Sequence, residues 1–363
     1  MKILYVDLER EWRGGQSQAL LTLRGLRERG YAVELLAAQE SPLAQRTAAS
    51  GIPVHGVRWL GLRGWAAGAL RKLTATQRFQ LLHLNEPHAL TAAWMAGAHQ
   101  HAPLLLSRRI GFPLQKNRIS EARFRAVTRF VANSRDVAKS LTDSGIFGER
   151  ISIVNEGVEI PALPAAAERT LARKRWGIGD ADFLFGCVSV FVPEKGQRHV
   201  IEALPEVRAT YPGAKLLLAG DGACRKDLQS LTSRLGQQGA VLFPGFVTNV
   251  HEVYAALDAF VFPSEFEGLG TALQTAMAMA LPSISTARGA LGEVVDDQRT
   301  ALVVEPQARE FAAAMLRIMS DSTLRTGLSQ AGRDEIIQRF SVERMVTNTI
   351  RVYDDVVRNW SAP

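Results

Sequence analysis

Apolar positions along this chain recur with two periods, and the period switches at short intervals. Residues 2–7 form an apolar, strand-like run, followed by a polar stretch with two glycines over 8–15. From 16 to 29 the spacing lengthens, so that Ala19, Leu20, Leu23 and Leu26 share one helical face, with Gly30 as the stop. The alternation continues with strands at 32–37, 53–57, 81–85, 104–106 and 130–132 and helices at 43–50 and 89–98. A second series opens with a strand at 183–191 and a helix at 197–210, then strands at 215–219, 240–243 and 259–262. Beyond Glu305 the pattern is helical, at 310–319, 322–339 and 341–360. Strands alternating with helices build βαβ units on parallel sheets, so the pattern predicts an α/β chain with Rossmann-like layers, although no GxGxxG is present. Between the two series, 157–167 is dominated by Ala and Pro and reads as a linker.

A chain of 363 residues divides comfortably into two domains, and the linker sets their limits at 1–160 and 161–340, with a terminal helix at 341–363. Composition, 47% hydrophobic and 22% charged, is that of an ordinary soluble globular protein. Cys187 and Cys224 are the two cysteines, too few for a disulfide framework or a cysteine metal cluster, and they fit a reducing, cytoplasmic setting. The first strand is too short and too soon followed by charges for a signal peptide. No uncharged run reaches the about 18 residues that a membrane span needs.

Charge changes the picture when it is divided. Residues 1–160 carry 22 Lys and Arg against 13 Asp and Glu, whereas the remainder carries 21 against 23. The excess concentrates in Arg108, Arg109, Lys116, Arg118, Arg123, Arg125 and Arg129, opposed in that window by Glu121 alone. Such a face suits an anionic partner, whether a membrane surface, a phosphorylated acceptor or nucleic acid, and it also suits plain solvation. Nucleic acid is the weakest of these, because no recognisable module accompanies the charge.

The candidate chemistry centres on Pro263 to Pro282, PSEFEGLGTALQTAMAMALP. A strand feeds a loop with two carboxylates, and Gly268 and Gly270 then open a helix with Leu269, Ala272, Leu273, Ala276 and Met277 at helical spacing. The N-terminus of a helix after a strand suits a phosphate or diphosphate, and glycines let the backbone approach it. Glu267, Thr271 and Thr275 follow at four-residue steps as a polar stripe able to read ligand hydroxyls. In the first series Gly14 and Gly15 precede the first helix, where a turn or a phosphate site are both in keeping. His88 starts a helix after a strand, and His83 lies within a strand as a core residue.

PSEFEGLG followed by LQTAMAMALPS and GEVVDD resembles the donor-sugar loop of the retaining glycosyltransferases of family 4. PEKG at 193–196, AGDG at 219–222, PGFV at 244–247 and RISIVNEGVE at 150–159 are similar to further motifs of that family. The resemblance implies a GT-B fold: two Rossmann-like doubly wound domains facing a cleft, with the terminal helix crossing back to the first. It implies catalytic roles for Glu267 and Lys195, with donor contacts from Gly14, Gly15, Lys195, Val247, Glu267, Gly268, Leu269, Gly270, Thr271 and Thr275. It places the acceptor or sugar near His88, Arg108 and Arg109, the last standing where many members carry a histidine. Two other positions depart from the family, Val190 for an arginine and Thr275 for a second glutamate. They leave open an unusual donor or a non-catalytic relative that binds a nucleotide or glycan, and retention of Glu267, Lys195 and the glycines favours the enzyme. The implied reaction moves a sugar from a UDP- or GDP-linked donor, with no metal or resident cofactor, to a cell-envelope glycan or glycolipid such as lipopolysaccharide or polysaccharide. The basic first domain then implies peripheral binding at the inner face of the plasma membrane.

Overall fold

The computed structural model describes residues 1–58, 62–114 and 117–361. The chain forms two compact units, Met1–Gly157 together with Val342–Pro363, and Val158–Ser341. The first holds the parallel strands β1 (Lys2–Asp7), β2 (Ala32–Ala38), β3 (Val54–Val57), β4 (Leu81–Leu84), β5 (Leu104–Arg108), β6 (Arg129–Ala132) and β7 (Ile151–Ile153). Their order in the sheet is β3-β2-β1-β4-β5-β6-β7. Helices α1 (Gly14–Glu28), α2 (Pro42–Ala49), α3 (Leu62–Thr76), α4 (Pro87–Met95), α5 (Arg118–Arg125) and α6 (Arg135–Asp143) connect them.

The two-residue period of the strands sorts their side chains onto two faces. Ile3, Tyr5, Leu35, Leu81 and Leu105 pack with Leu20 and Leu23 of α1 and with Val346, Tyr353 and Val356 of the terminal helix, Val342–Asn359. Leu4, Val6, Leu36, Leu82 and Phe130 face the other way, against Leu70 of α3, Leu90 of α4 and Val137 of α6. The terminal helix lies close to α1 because Gly25 has no side chain: a Cβ there would stand 2.5 Å from Val346 Cγ2.

The second unit repeats this plan with strands β8 (Phe183–Val188), β9 (Ala214–Ala219), β10 (Val241–Gly245), β11 (Ala259–Phe262), β12 (Ser283–Ser285) and β13 (Leu302–Val303). They are parallel, in the order β10-β9-β8-β11-β12-β13. The helices are α7 (Ala166–Arg175), α8 (Gln197–Thr210), α9 (Arg225–Arg234), α10 (Val250–Ala256), α11 (Thr271–Ala278), α12 (Ala308–Ser320) and α13 (Ser322–Arg339). Phe260, Phe262, Leu273 and Met277 build the core on one face of the sheet, and Phe185, Val261, Leu204 and Phe311 on the other.

In both sheets the strand order reverses beside the first strand of the series, between β1 and β4 and between β8 and β11. Ligands of open α/β sheets bind beyond the carboxyl ends of the strands at such points. The motifs therefore sit where the topology favours a site.

Some elements differ from the expectation. The strand expected over 183–191 stops at Val188, because Gly220 and Gly222 carry the chain after β9 across Ser189 and Phe191, with Phe191 N donating to Asp221 O at 2.9 Å. Helix α3 was not foreseen, although Ala66, Ala67, Leu70 and Leu73 bury one face of it; small residues dilute that stripe. Helix α5 has no repeating apolar stripe: Ser120 is its buried residue, Phe124 alone packs on the core, and Asn117 caps it by accepting from Ser120 N at 2.9 Å.

Candidate functional site

At the switch point of the second unit, the loop after β8 forms a single 3-10 turn, Pro193–Lys195, and the loop after β11 carries Glu267. The two meet: Lys195 Nζ lies 2.6 Å from Glu267 Oε2, with the side chains 17% and 18% exposed. Ser264 Oγ stands 3.4 Å from the same oxygen. The loops are also tied by their backbones, Glu265 N donating to Glu194 O at 2.8 Å, and by His199 Nε2 at 2.8 Å from Glu265 Oε1. Beneath the pair, burial pushes the Cys187 thiol up to about 12, so it stays a neutral core thiol.

Gly270 caps α11 with φ +63°, in the left-handed region that favours glycine, and a Cβ there would come within 2.7 Å of Leu291. Gly268 is different, since a Cβ would meet nothing within 4 Å. Its small size clears space above the loop rather than relieving a contact within the protein. Among the described residues, the amides of Gly268, Leu269, Gly270 and Thr271 have no hydrogen-bond acceptor. Four such donors at the positive end of a helix, beside a lysine, form a cradle for an anion.

The remaining expected donor residues divide. The polar stripe breaks at its end: Thr275 Oγ1 donates to Thr271 O at 2.8 Å, and Glu267 lies in the loop outside the helix. The Leu269 side chain is buried in the core, so its amide is what it offers the site. Val247 follows β10 and packs, partly buried, on the same core. Val190 is 49% exposed and brings no charge to the loop.

At the other switch point, Gly14 and Gly15 do not precede the first helix; they are its first two residues. Behind them the end of β1 is closed by side chains. Asp7 accepts from Asn85 Nδ2 at 2.5 Å and Gln16 Nε2 at 3.0 Å, and burial raises its pKa. Glu86 caps α4, accepting from Ala89 N and Leu8 N at 2.7 and 3.1 Å and from His88 N. Burial, with Asp7 nearby, pushes its pKa up to about 8. His83 is a core residue as expected, with Nε2 2.7 Å from Ser107 Oγ and Nδ1 against the Tyr353 hydroxyl.

Arg109, expected near the acceptor or sugar, is engaged within the unit: Nε lies 3.0 Å from Glu156 Oε1 and Nη1 donates to Asn85 O at 3.1 Å. Arg108 donates to Phe112 O at 2.8 Å. The basic cluster is likewise thinned, because Arg123 binds Thr91 and Ser120 and Arg129 pairs with Asp355 at 2.8 Å. Arg118 and Arg125 remain exposed, and Lys116 lies outside the described residues.

The fold also assembles one group of metal-ligand type among the described residues, Glu9, Glu86 and His88, for which no spacing motif is present. It does not fit a cation. Arg63 Nε donates to His88 Nδ1 at 3.1 Å, which leaves the proton of a neutral imidazole on Nε2, and the Glu86 oxygens are occupied by amides. Glu156 and Asn85 were also missed: Glu156 lies within the motif at 150–159, but a motif does not say which side chain it meets across the fold.

Two family models match the chain, "Glycosyltransferase Family 4" over residues 12–160 and "Glycosyl transferases group 1" over 168–335. The lipopolysaccharide core biosynthesis glycosyltransferase LpsE of Rhizobium meliloti is 35% identical over 154 residues, 42% of this chain and 44% of that protein. The N-acetyl-alpha-D-glucosaminyl L-malate synthase of Bacillus anthracis is 29% identical over 193 residues, 53% of this chain and 50% of that one. The chain thus spans about half the length of these curated relatives. Among solved structures, Anabaena Alr3699/HepE in complex with UDP and glucose shares the fold, with a TM-score of 0.83 and 21% identity over 98% of this chain and 99% of that one. The doubly wound units, the glycine-opened helix with its lysine–glutamate pair, and the two models that between them take in both units agree: the chain belongs to glycosyltransferase family 4.

Proposed function

We propose that this protein transfers a sugar from a nucleoside-diphosphate donor to a hydroxyl of a cell-envelope glycan or glycolipid, with retention at the anomeric carbon. The observation that carries the reading is the Lys195–Glu267 pair beside four partnerless amides at the start of α11. An ammonium and a helix N-terminus match the charge that grows on a departing diphosphate, and groups already turned to the bound donor need no reorganisation as that charge develops. Glu267 is the acceptor for hydroxyls of the donor sugar. In the step itself the anomeric carbon–phosphate oxygen bond breaks, the bond to the acceptor oxygen forms on the same face, and the acceptor proton passes to the departing phosphate oxygen. This scheme asks for no metal. Thr275 contributes no charge at the nucleotide, and its hydroxyl is committed to Thr271 O.

A UDP-linked donor is supported by the UDP and glucose bound in the Anabaena structure, and an envelope acceptor by the lipopolysaccharide role in the name of LpsE. Ile110, Phe112 and Ile119, 51%, 62% and 64% exposed, accompany exposed Arg118 and Arg125 in the first unit. That combination of apolar and basic side chains suits an anionic membrane surface on the cytoplasmic side. No helix among the described residues is long and apolar enough to cross a membrane.

The direct test incubates the purified protein with UDP- and GDP-sugars and a glycolipid acceptor, and reads the product's anomeric configuration by NMR. An α-linked product from an α-linked donor is expected; inversion overturns retention, and inertness with every donor overturns the transferase reading. Flotation with anionic and neutral vesicles tests the membrane part, which fails without charge-dependent, salt-sensitive binding.

A further inference from the structure

We propose that Glu267 also acts as a competitor for the diphosphate site: once the sugar has left, it recaptures Lys195 and so weakens the hold on the nucleoside diphosphate product. The inference rests on the donor-site reading above and deepens it. At 2.6 Å and less than a fifth exposed, the charges of Lys195 and Glu267 neutralise each other and are poorly screened by salt. Among the described residues Lys195 is the one cation paired with Glu267, and the neighbouring Ser189 and Val190 bring no second positive charge. A diphosphate entering this loop therefore meets a neutral pair rather than a free ammonium.

The two ligands of the reaction differ in what they give Glu267 in exchange. Its Oε1 accepts no hydrogen bond among the described residues, and Oε2 has only Lys195 and the long contact from Ser264. A nucleotide sugar brings hydroxyl donors to the carboxylate, which frees Lys195 to turn to the diphosphate. The nucleoside diphosphate alone lacks the sugar hydroxyls, and its remaining hydroxyls belong to the ribose, on the other side of the diphosphate. Separating Lys195 from Glu267 for the product leaves a part-buried carboxylate with only the long Ser264 contact, which is costly. The same residue thus favours donor over product, and helps turnover after transfer.

Titration calorimetry with UDP and with GDP, and with the matching sugar conjugates, on wild type, Glu267→Gln, Lys195→Met and the double variant tests this. Thermal melts confirm that each variant is folded. Glu267→Gln is expected to bind the nucleoside diphosphate roughly tenfold tighter than wild type, the lower end of what a hydrogen bond to a charged group contributes. The sugar conjugate should gain less or lose affinity. In the Lys195→Met background the same Gln substitution should give no gain. The proposal is overturned if Glu267→Gln binds the diphosphate no tighter. It is overturned equally if the gain persists undiminished without Lys195, since the carboxylate then acts by simple repulsion. If wild type and all variants bind neither nucleotide, the donor-site reading itself fails, and this inference with it.

Discussion

The two units have the same sheet logic and opposite switch points. In Val158–Ser341 the point between β8 and β11 presents a charge pair, partnerless amides and a glycine with open space above it. In the first unit the point between β1 and β4 is filled by its own side chains. There Asp7, Asn85 and Gln16 satisfy one another, Arg109 is held by Glu156, and His83 bridges to Ser107 and Tyr353. One topology thus yields a site whose charge pair and amides await a ligand and another whose buried side chains are already matched, with the Gly14 and Gly15 amides left there without an acceptor among the described residues. Topology nominates a place for binding, and only the accounting of donors and acceptors tells a site from a strut.

Four measurements press on that contrast. If the second switch point is the reactive one, Lys195→Met should lower kcat/KM by about 10²–10³, as for loss of one preorganised transition-state donor, and should cost stability by no more than the about 1–3 kcal/mol of leaving the Glu267 carboxylate unpaired. An unchanged rate would break the comparison at its strongest point. If the first switch point is structural, Asp7→Ala should act on stability instead. It leaves the Asn85 and Gln16 amides without their buried acceptor, at a cost of about 1–3 kcal/mol, read from the urea midpoint.

A pH series sharpens the same side. Burial, with Arg109 nearby, holds the His83 pKa down at about 3 from an ordinary 6.5. The unfolded chain therefore takes up a proton that the folded one refuses. The stability from this group is complete above pH 6.5 and is lost as pH falls toward 3, by about 1.4 kcal/mol per unit. Glu86 and Asp7, whose pKa values are raised, act in the opposite sense over part of this window, so the slope is read as the difference in urea stability between wild type and His83→Gln, which should change by this amount per unit as pH falls. The smallest effect belongs to Thr275→Ala. With its hydroxyl spent on Thr271 O, the substitution should stay within about 0.5 kcal/mol in stability and leave the donor KM unchanged. A clear rise in KM would show that the hydroxyl turns to the nucleotide.

How much of this was legible beforehand depended on range along the chain. The β–α alternation, the glycine-opened helix after β11 and the linker before α7 are local patterns, carried by residue spacing and glycine placement, and they read directly. Helix α5 did not, since it is held by a cap, by Arg123 reaching Thr91 and by the single apolar contact of Phe124 rather than by a repeating apolar face. The roles given to Arg108 and Arg109 came from charge and motif position, and charge alone does not say what a guanidinium is paired with.

By itself, then, the sequence determined the strands and helices that carry a regular apolar period, and which glycine-bearing loops lie at strand ends, because those follow from periods of two and 3.6 and from backbone freedom at glycine. Tertiary structure alone decided the partners. Lys195 and Glu267 lie 72 positions apart, and they meet because β11 enters the sheet beside β8 rather than beyond β10. The same strand order buries Asp7 against Asn85 and leaves the α11 amides open, and no local pattern records a neighbour that the chain reaches only by folding.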